Sequence, residues 1–439
     1  MKQPTLTTTD FAKRRAVLMR RIGPGGVAIL ATAPETIRNQ DVHHPYRPNS
    51  DFYYLTGFAE PDAVAVLVPG REAGAYSLFC RPRDPQAELW QGRRAGVEGA
   101  LAEFGADAAY PLAELDIILP KLLETAHRLY YALGTNPSFD SRVLGWLNQL
   151  RTKVRAGVQV PREIHALDDL IHEQRLRKQT AELKLMRQAA DISVAAHRRA
   201  MRMCQPGLWE YQIEAELLHE FMRCGALSPA YPSIVGGGAN ACILHYRDNN
   251  QRLRDGELLL IDAGAEYQYY AADITRTFPT NGRFSSEQRI LYELVLAAQT
   301  AAIAEVKPGN PWDAPHQAAV AVLAEGLRRL GLLQGTLAEV IAQETYKRYF
   351  MHKTGHWLGM DVHDVGNYKR DGVWRCFEPG MVLTVEPGLY IAASSPVDAR
   401  WWNIGIRIED DVVVTRTGCE VLTEAAPKTV AAIEAEMAR

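Results

Sequence analysis

The chain has 439 residues, with 49 Lys and Arg against 52 Asp and Glu and a formal net charge of -3. At about 150 residues per domain this length implies two or three domains, and 47% hydrophobic with 23% charged residues excludes disordered, collagen-like and coiled-coil classes. The even charge balance lacks the basic excess of a nucleic-acid binder and gives no pull toward acidic membranes, so neither nucleic acid nor membrane is expected as a partner.

Near the N-terminus, Arg20-Arg21 precede an apolar run from Val27 to Ala33. Gly23-Pro24-Gly25-Gly26 interrupts this imitation of a signal peptide, so the run reads as a buried strand after a turn. No apolar run approaches the ~18 residues of a membrane span. The six cysteines, at positions 80, 204, 224, 242, 376 and 419, form no C-x-x-C pair. Reduced thiols in a cytoplasmic protein are therefore expected.

Val64 to Val68, Tyr76 to Cys80 and Leu129 to Leu133 read as strands. Leu115 to Ala126 and Arg142 to Lys153 carry helical spacing, giving an α/β pattern. In the charged stretch from Arg162 to Met186, Ile164, Leu167, Leu170 and Ile171 recur at helical spacing. The domain boundary is placed there, giving domains 1–175 and 176–439.

The second domain holds a weak internal repeat. A helical stretch ends at Pro206-Gly207 and another at Pro308-Gly309, each followed by a tryptophan, an acid and a second helix. The helix from Ser286 to Val306 opens with Ser285-x-x-Gln288, a capping-box spacing. A duplicated α/β unit and a coincidence of two helix stops both fit.

Leu258 to Pro279 reads L-L-L-I-D-A-G-A-E-Y-Q-Y-Y-A-A-D-I-T-R-T-F-P, a predicted antiparallel hairpin. A turn centred between Tyr267 and Gln268 sets Asp262 opposite Asp273. Like charges ~5 Å apart destabilise a sheet, and unpaired buried carboxylates are costly. Either one Asp is protonated, a cation sits between them, or the register differs and both are solvated. Phe350 to Val365 places His352, His356 and His363 within twelve residues. Gly355 and the absence of Glu at 353 reject a helical H-E-x-x-H site. Glu386 closes an apolar strand before Pro387-Gly388, as a ligand or a solvated strand end. In I-G-I-R-I-E-D-D, Ile404, Ile406 and Ile408 share one face and Arg407 and Glu409 the other, as a ligand site or a plain ion pair. Four carboxylates and one imidazole form an oxygen-rich set suited to a dication such as Mn²⁺, and a shared pair of metals would activate water for hydrolysis.

The segments I-D-A-G, A-D-I-T-R-T-F, T-G-H-W-L-G-M-D-V-H-D, L-T-V-E-P-G and I-G-I-R-I-E-D-D together resemble the dinuclear-metal pita-bread peptidases over about residues 180–425. D-F-Y-Y-L-T-G-F, Asp51 to Phe58, is similar to the N-terminal domain of the aminopeptidase P and prolidase branch. H-W-L-G-M-D-V-H-D-V-G looks most like bacterial aminopeptidase P. The resemblance implies a creatinase/prolidase-like α/β domain followed by a pseudo-twofold pita-bread catalytic domain of α/β (α+β) class.

It also implies two divalent ions, most readily Mn²⁺. Asp262 would hold one, Asp273 and Glu409 would bridge, and His356 and Glu386 would hold the other. A hydroxide between the ions would attack the scissile carbonyl, with Glu386 moving the proton to the departing nitrogen. His363 would bind and polarise the carbonyl oxygen, with His245 lining the pocket beside it. His352 and Arg407 would shape the proline side, and Tyr231 would support the ligands. Lys353 stands where many relatives carry glycine, which bears on peptide length. In this branch a tryptophan in the loop of Trp90 reaches a neighbouring subunit's site, and a homodimer or homotetramer is implied.

The implied substrate is a peptide with proline in second position, whose tertiary amide and fixed ring demand a dedicated site. Prolidase, acting only on Xaa-Pro dipeptides, is the nearest alternative. A metal-free creatinase-like hydrolase and a non-enzymatic binding protein are opposed by the five intact ligand positions.

Overall fold

The computed structural model describes residues 4–438. The chain divides into two compact units: Leu6–Arg175, and the chain from Leu176 onward together with Pro4 and Thr5.

The first unit is built on a six-stranded mixed sheet. Its strands are β1 (Gly26–Ala31), β2 (Val64–Leu67), β3 (Tyr76–Cys80), β4 (Ala108–Pro111), β5 (Arg128–Tyr130) and β6 (Glu163–His165), in the order β4-β3-β2-β1-β5-β6. β1, β5 and β6 run parallel, whereas β2 is antiparallel to both its neighbours. Alternation along β1 and β2 sends Val27, Ile29, Val64 and Val66 to one face. There they pack in one core with Leu119 and Leu123 of helix α1 (Leu115–Leu123) and Trp146 of α2 (Pro137–Thr152).

The charged connector departs from its helical reading at its start. Glu163–His165 is a strand, with Ile164 paired to Leu129, and the helix α3 begins only at Leu167 (Leu167–Leu176). Helical spacing at Ile164 is overridden because the edge of β5 offers backbone partners that a local period does not register.

The second unit repeats one plan twice. In the first half, helices α4 (Thr180–Met203) and α5 (Glu210–Arg223) are followed by β7 (Ile234–Gly237), β8 (Leu258–Asp262), β9 (Ala265–Tyr267), β10 (Tyr270–Ala271) and β11 (Thr275–Pro279). In the second half, α6 (Ser286–Ala304) and α7 (Ala314–Arg329) lead to β12 (Val382–Val385), β13 (Gly388–Ile391), β14 (Ile404–Arg407), β15 (Asp410–Val414) and β16 (Cys419–Val421). Antiparallel sheets β7-β8-β11 and β12-β15-β16 form the centres, with β13 paired to β14. The two Pro-Gly steps lie between the helices of each pair. The capping box of α6 is present, Gln288 N–H donating to Ser285 Oγ at 3.2 Å and Ser285 N–H to Gln288 Oε1 at 3.0 Å.

The hairpin forms with a different register. Tyr267 pairs with Tyr270 and Asp262 with Thr275, so the turn is centred between Gln268 and Tyr269. Both turn residues have positive φ, 47° and 66°. This matches the two-residue turn whose twist suits a hairpin, reached here without glycine. The difference moves Asp273 two residues along its strand from the position opposite Asp262. Because side chains alternate with period two, the shift keeps both carboxylates on one face.

Candidate metal centre

Each candidate ligand is placed by a backbone element that its neighbours hold. Asp262 ends β8, and Asp273 lies just before β11. Glu409 lies between β14 and β15, its N–H donating to Thr275 O at 3.1 Å. Glu386 follows β12, its N–H bonded to Thr354 O at 2.9 Å.

His356 lies on a non-helical segment laid against β12. His356 N–H donates to Thr384 Oγ1 at 3.1 Å, and Thr384 N–H returns a bond to His356 O at 3.0 Å. A Cβ on Gly355 would stand 2.1 Å from Thr384 O, so only glycine permits this approach. The glycine that argues against a helix from sequence is thus what brings the imidazole to the strand. His356 Nδ1 lies 2.9 Å from Trp357 O. A carbonyl only accepts, so Nδ1 carries a proton and Nε2 faces the carboxylates.

Asp273, His356 and Glu409 bring one ligand atom each to within 4.8 Å of one another. His356 Nε2 is 3.4 Å from Asp273 Oδ2 and 3.9 Å from Glu386 Oε1. Tyr231 joins Asp262 to this group. Its hydroxyl is 2.6 Å from Asp262 Oδ1 and also bonds Asp273 Oδ1. One hydroxyl proton thus serves two carboxylates.

The cluster is electrostatically unfavourable as a set of bare anions. Burial, followed by the charge of Asp262, raises the Asp273 carboxyl above its ordinary range. Burial and Asp273 push Glu409 well up. Burial pushes Glu386 up to about 7 despite His356 and Arg407, with Asp273 and Asp262 adding to the rise. For His356 burial acts downward, but the hydrogen bond and charge of Asp273 outweigh it and lift the imidazole to about 9. The cluster therefore keeps protons near neutral pH unless a cation replaces them. Carboxylate oxygens with one imidazole nitrogen and no thiolate fit a divalent metal ion.

A cavity of about 420 Å³ opens over the cluster. Tyr231, His245, Asp262, Asp273, His352, His356, His363, Glu386, Arg407 and Glu409 all line it. His245 and His363 are exposed on its wall, the His363 ring meeting His356 edge-on at 4.3 Å. Trp90 belongs to the other unit, on the short helix Pro85–Gln91, and is 86% exposed.

The sequence reading gives roles to Arg407 and His352 but none to Thr275, Arg276, Tyr390 or Asp411, which support the site. Arg407 Nη2 donates to Asp262 Oδ2 at 2.5 Å, Nε to Thr275 Oγ1 at 3.0 Å, and Nη1 to Tyr390 OH at 3.1 Å. Since arginine only donates, the remaining directions follow. Thr275 gives its proton to Glu409 Oε2 at 2.6 Å, and Tyr390 gives its own to His352 Nε2 at 2.9 Å. Asp411 accepts Asp273 N–H at 3.1 Å. Arg276 is wholly buried beside Asp410. The available signal was a lone arginine and a run of three acids within apolar strands.

Sequence comparison places this geometry. The profile of Metallopeptidase family M24 matches residues 184–416. The chain belongs to metallopeptidase family M24. The matched M24 span contains every candidate ligand, and the profile of the aminopeptidase P N-terminal domain matches residues 11–130. Among M24 relatives, the chain is 45% identical over 433 residues to the Xaa-Pro aminopeptidase of Escherichia coli (strain K12), covering 98% of each chain. It is 34% identical over 444 residues to human Xaa-Pro aminopeptidase 3, covering 98% of this chain and 86% of the relative. The solved structure of Pseudomonas aeruginosa aminopeptidase PepP superposes with a TM-score of 0.98 at 57% identity, covering 100% of this chain and 99% of that one. Proline aminopeptidase P II from Yersinia pestis gives 0.96 at 46% identity, with 99% and 100% covered. These M24 neighbours establish an α/β N-terminal domain followed by a pita-bread catalytic domain.

Proposed function

We infer that this metallopeptidase is an Xaa-Pro aminopeptidase, releasing the first residue of peptides with proline in second position. The observation that carries the reading is the single cavity that joins the Asp273, His356 and Glu409 cluster to His245, His352, His363 and Arg407, in a chain similar end to end to Xaa-Pro aminopeptidases.

Asp262, Asp273, His356, Glu386 and Glu409 are the proposed holders of two divalent ions, Mn²⁺ being the first candidate for such a donor set. When bound, the ions supply Lewis-acid polarisation and an acidified water as nucleophile. Glu386 takes a proton at its carboxylate and delivers it to the departing proline nitrogen. His363 steadies the scissile carbonyl oxygen, and His245 lines the wall beside it. His352, with Nδ1 donating to Lys353 O at 2.7 Å and Nε2 accepting from Tyr390, is a fixed neutral wall for the proline ring together with Arg407. Burial and the Arg407 charge hold His352 down to about 3, consistent with that neutral state. Tyr231 keeps Asp262 and Asp273 at one hydroxyl's reach.

The same proposal covers a homodimer or homotetramer in which Trp90 approaches a neighbouring subunit's site, and residence in the cytoplasm. Trp90→Ala leaving both oligomer size and long-peptide cleavage unchanged would remove that role. No helix among the described residues is long and apolar enough to cross a membrane.

The test is peptide length. Release of free Ala from Ala-Pro-Ala by the metal-loaded protein supports the reading. Rapid hydrolysis of Ala-Pro with no cleavage of the tripeptide marks a dipeptidase instead, and full activity after chelation removes the metal-dependent mechanism.

A further inference from the structure

The cavity holds two cations that the proposed chemistry does not use. Arg247, two residues after His245, and Lys353, adjacent to His352, both line it. Both residues are exposed, and neither side chain hydrogen-bonds or ion-pairs with a described residue. The Glu344 carboxylate attracts Lys353 through space, but its hydrogen bond goes to Lys347 at 2.6 Å. By contrast, Arg407 is fully engaged with Asp262, Thr275 and Tyr390.

On the proposed function, two dications balance the four carboxylates of the cluster. Arg247 and Lys353 then stand in a cavity whose own anions are neutralised, and clefts lined by one sign of charge focus the field on incoming ligands. On that reading the proline ring lies against His352 and Arg407, and Lys353 and Arg247 line the same cavity, so a peptide continuing past the proline would carry its third residue toward this rim. Two extended residues reach at most about 7 Å, so the C-terminal carboxylate of a tripeptide remains beside the cavity.

We propose that Arg247 and Lys353 form a carboxylate-selecting rim that favours substrates bearing a negative charge one residue beyond the proline. This inference rests on the aminopeptidase reading and adds its substrate class: tripeptides with a free C-terminus, or longer peptides with an acidic third residue. The two sources share one chemistry and are separable by amidation.

The experiment compares Ala-Pro-Ala, Ala-Pro-Ala amide, Ala-Pro-Glu amide and Ala-Pro-Gln amide with the metal-loaded protein. The acid is expected to exceed its amide about 3- to 10-fold in kcat/KM, carried by KM, as one or two partly exposed charge contacts allow. The Glu peptide is expected to exceed the Gln peptide if an acidic side chain reaches the rim. Both ratios should shrink toward one in the Arg247→Gln, Lys353→Gln double variant and at 1 M salt. Equal KM for all four peptides, or ratios that survive the double substitution, would overturn the rim. Cleavage of none of them would instead defeat the aminopeptidase reading. Calorimetric binding of the dipeptide Pro-Ala against Pro-Ala amide tests the rim without turnover: tighter binding of the acid supports it, equal binding overturns it.

Discussion

Arg276 and Asp410 form an ion pair with no exposed side-chain surface, Nη2 to Oδ1 at 2.7 Å. Arg276 Nη1 also donates to Glu409 O at 2.5 Å and Thr275 O at 2.9 Å. Lys428, Gln299 and Thr423 also donate to Asp410, at 2.8, 3.0 and 2.7 Å. Burial opposes the Asp410 charge, but Arg276 and Lys428 outweigh it and hold the carboxyl low. The pair thereby ties the strand after Asp273 to the strand after Glu409, one from each half of the repeat. Arg276→Met leaves a buried carboxylate without its main partner. A loss of about 3–5 kcal/mol is expected, measured by denaturant unfolding of the metal-free protein. Unchanged stability would show that Lys428, Gln299 and Thr423 suffice to hold Asp410.

Tyr231→Phe removes one hydroxyl shared by two carboxylates. Loss of such an outer hydrogen bond typically weakens metal affinity about 10–100-fold. Competition with a metal chelator measures this, and an affinity equal to the parent would make Tyr231 a packing residue only.

Metal binding should displace protons. Glu386 is raised to about 7, His356 to about 9, and Asp273 and Glu409 are also raised. The folded metal-free chain binds more protons at these groups than the unfolded chain, so their contribution to stability falls as pH rises, from about 4 for the carboxyls and about 6.5 for His356, through the raised folded values. Added metal should release protons at pH 7 in weak buffer and reverse the stability loss. Metal uptake at pH 7 without proton release contradicts the crowded cluster.

Glu386→Gln keeps the size of the side chain and removes its basicity. Turnover is expected to fall by about 10²–10⁴-fold while metal content, read by elemental analysis, is largely retained. Unimpaired turnover with retained metal would exclude Glu386 as the proton carrier.

The first unit carries its own pH window. Asp51 meets His172 at 3.1 Å and Arg175 at 2.7 Å. Burial disfavours both the carboxylate and the imidazolium, yet their mutual hydrogen bond and charge prevail, so Asp51 is lowered and His172 raised. The Asp51 contribution is present above about 3.9 and lost as pH falls through its lowered folded value. The His172 contribution is full below about 6.5 and lost as pH rises through its raised one. In the unfolding free energy measured from pH 5 to 9, His172→Gln should flatten the alkaline decline. An unaltered profile would place that decline elsewhere.

Much of the candidate ligand set was legible because its residues sit in short segments with strong local signals. Asp262 and Glu386 close apolar runs, Asp273 follows the hairpin turn, and three histidines crowd a glycine-broken stretch. Strand alternation was enough to keep Asp262 and Asp273 on one face even though the register differed by two residues. The edge strand Glu163–His165, the hydroxyl bridge of Tyr231 and the relay from Arg407 through Tyr390 to His352 were not legible from local signals. They depend on partners 31 or more residues away for Tyr231 and 17 away for Tyr390, and no local period encodes such a meeting.

The sequence by itself therefore determined the donor chemistry, since residue type and burial pattern are written in each segment. Which donors converge, and which cations stay free at the rim, was decided by the tertiary structure. Only the packing of two sheet-bearing halves brings Asp273, His356 and Glu409 within 4.8 Å, and the repulsion of Asp273 and Glu409 with their carboxylate neighbours Asp262 and Glu386 makes a bound cation the stabilising solution.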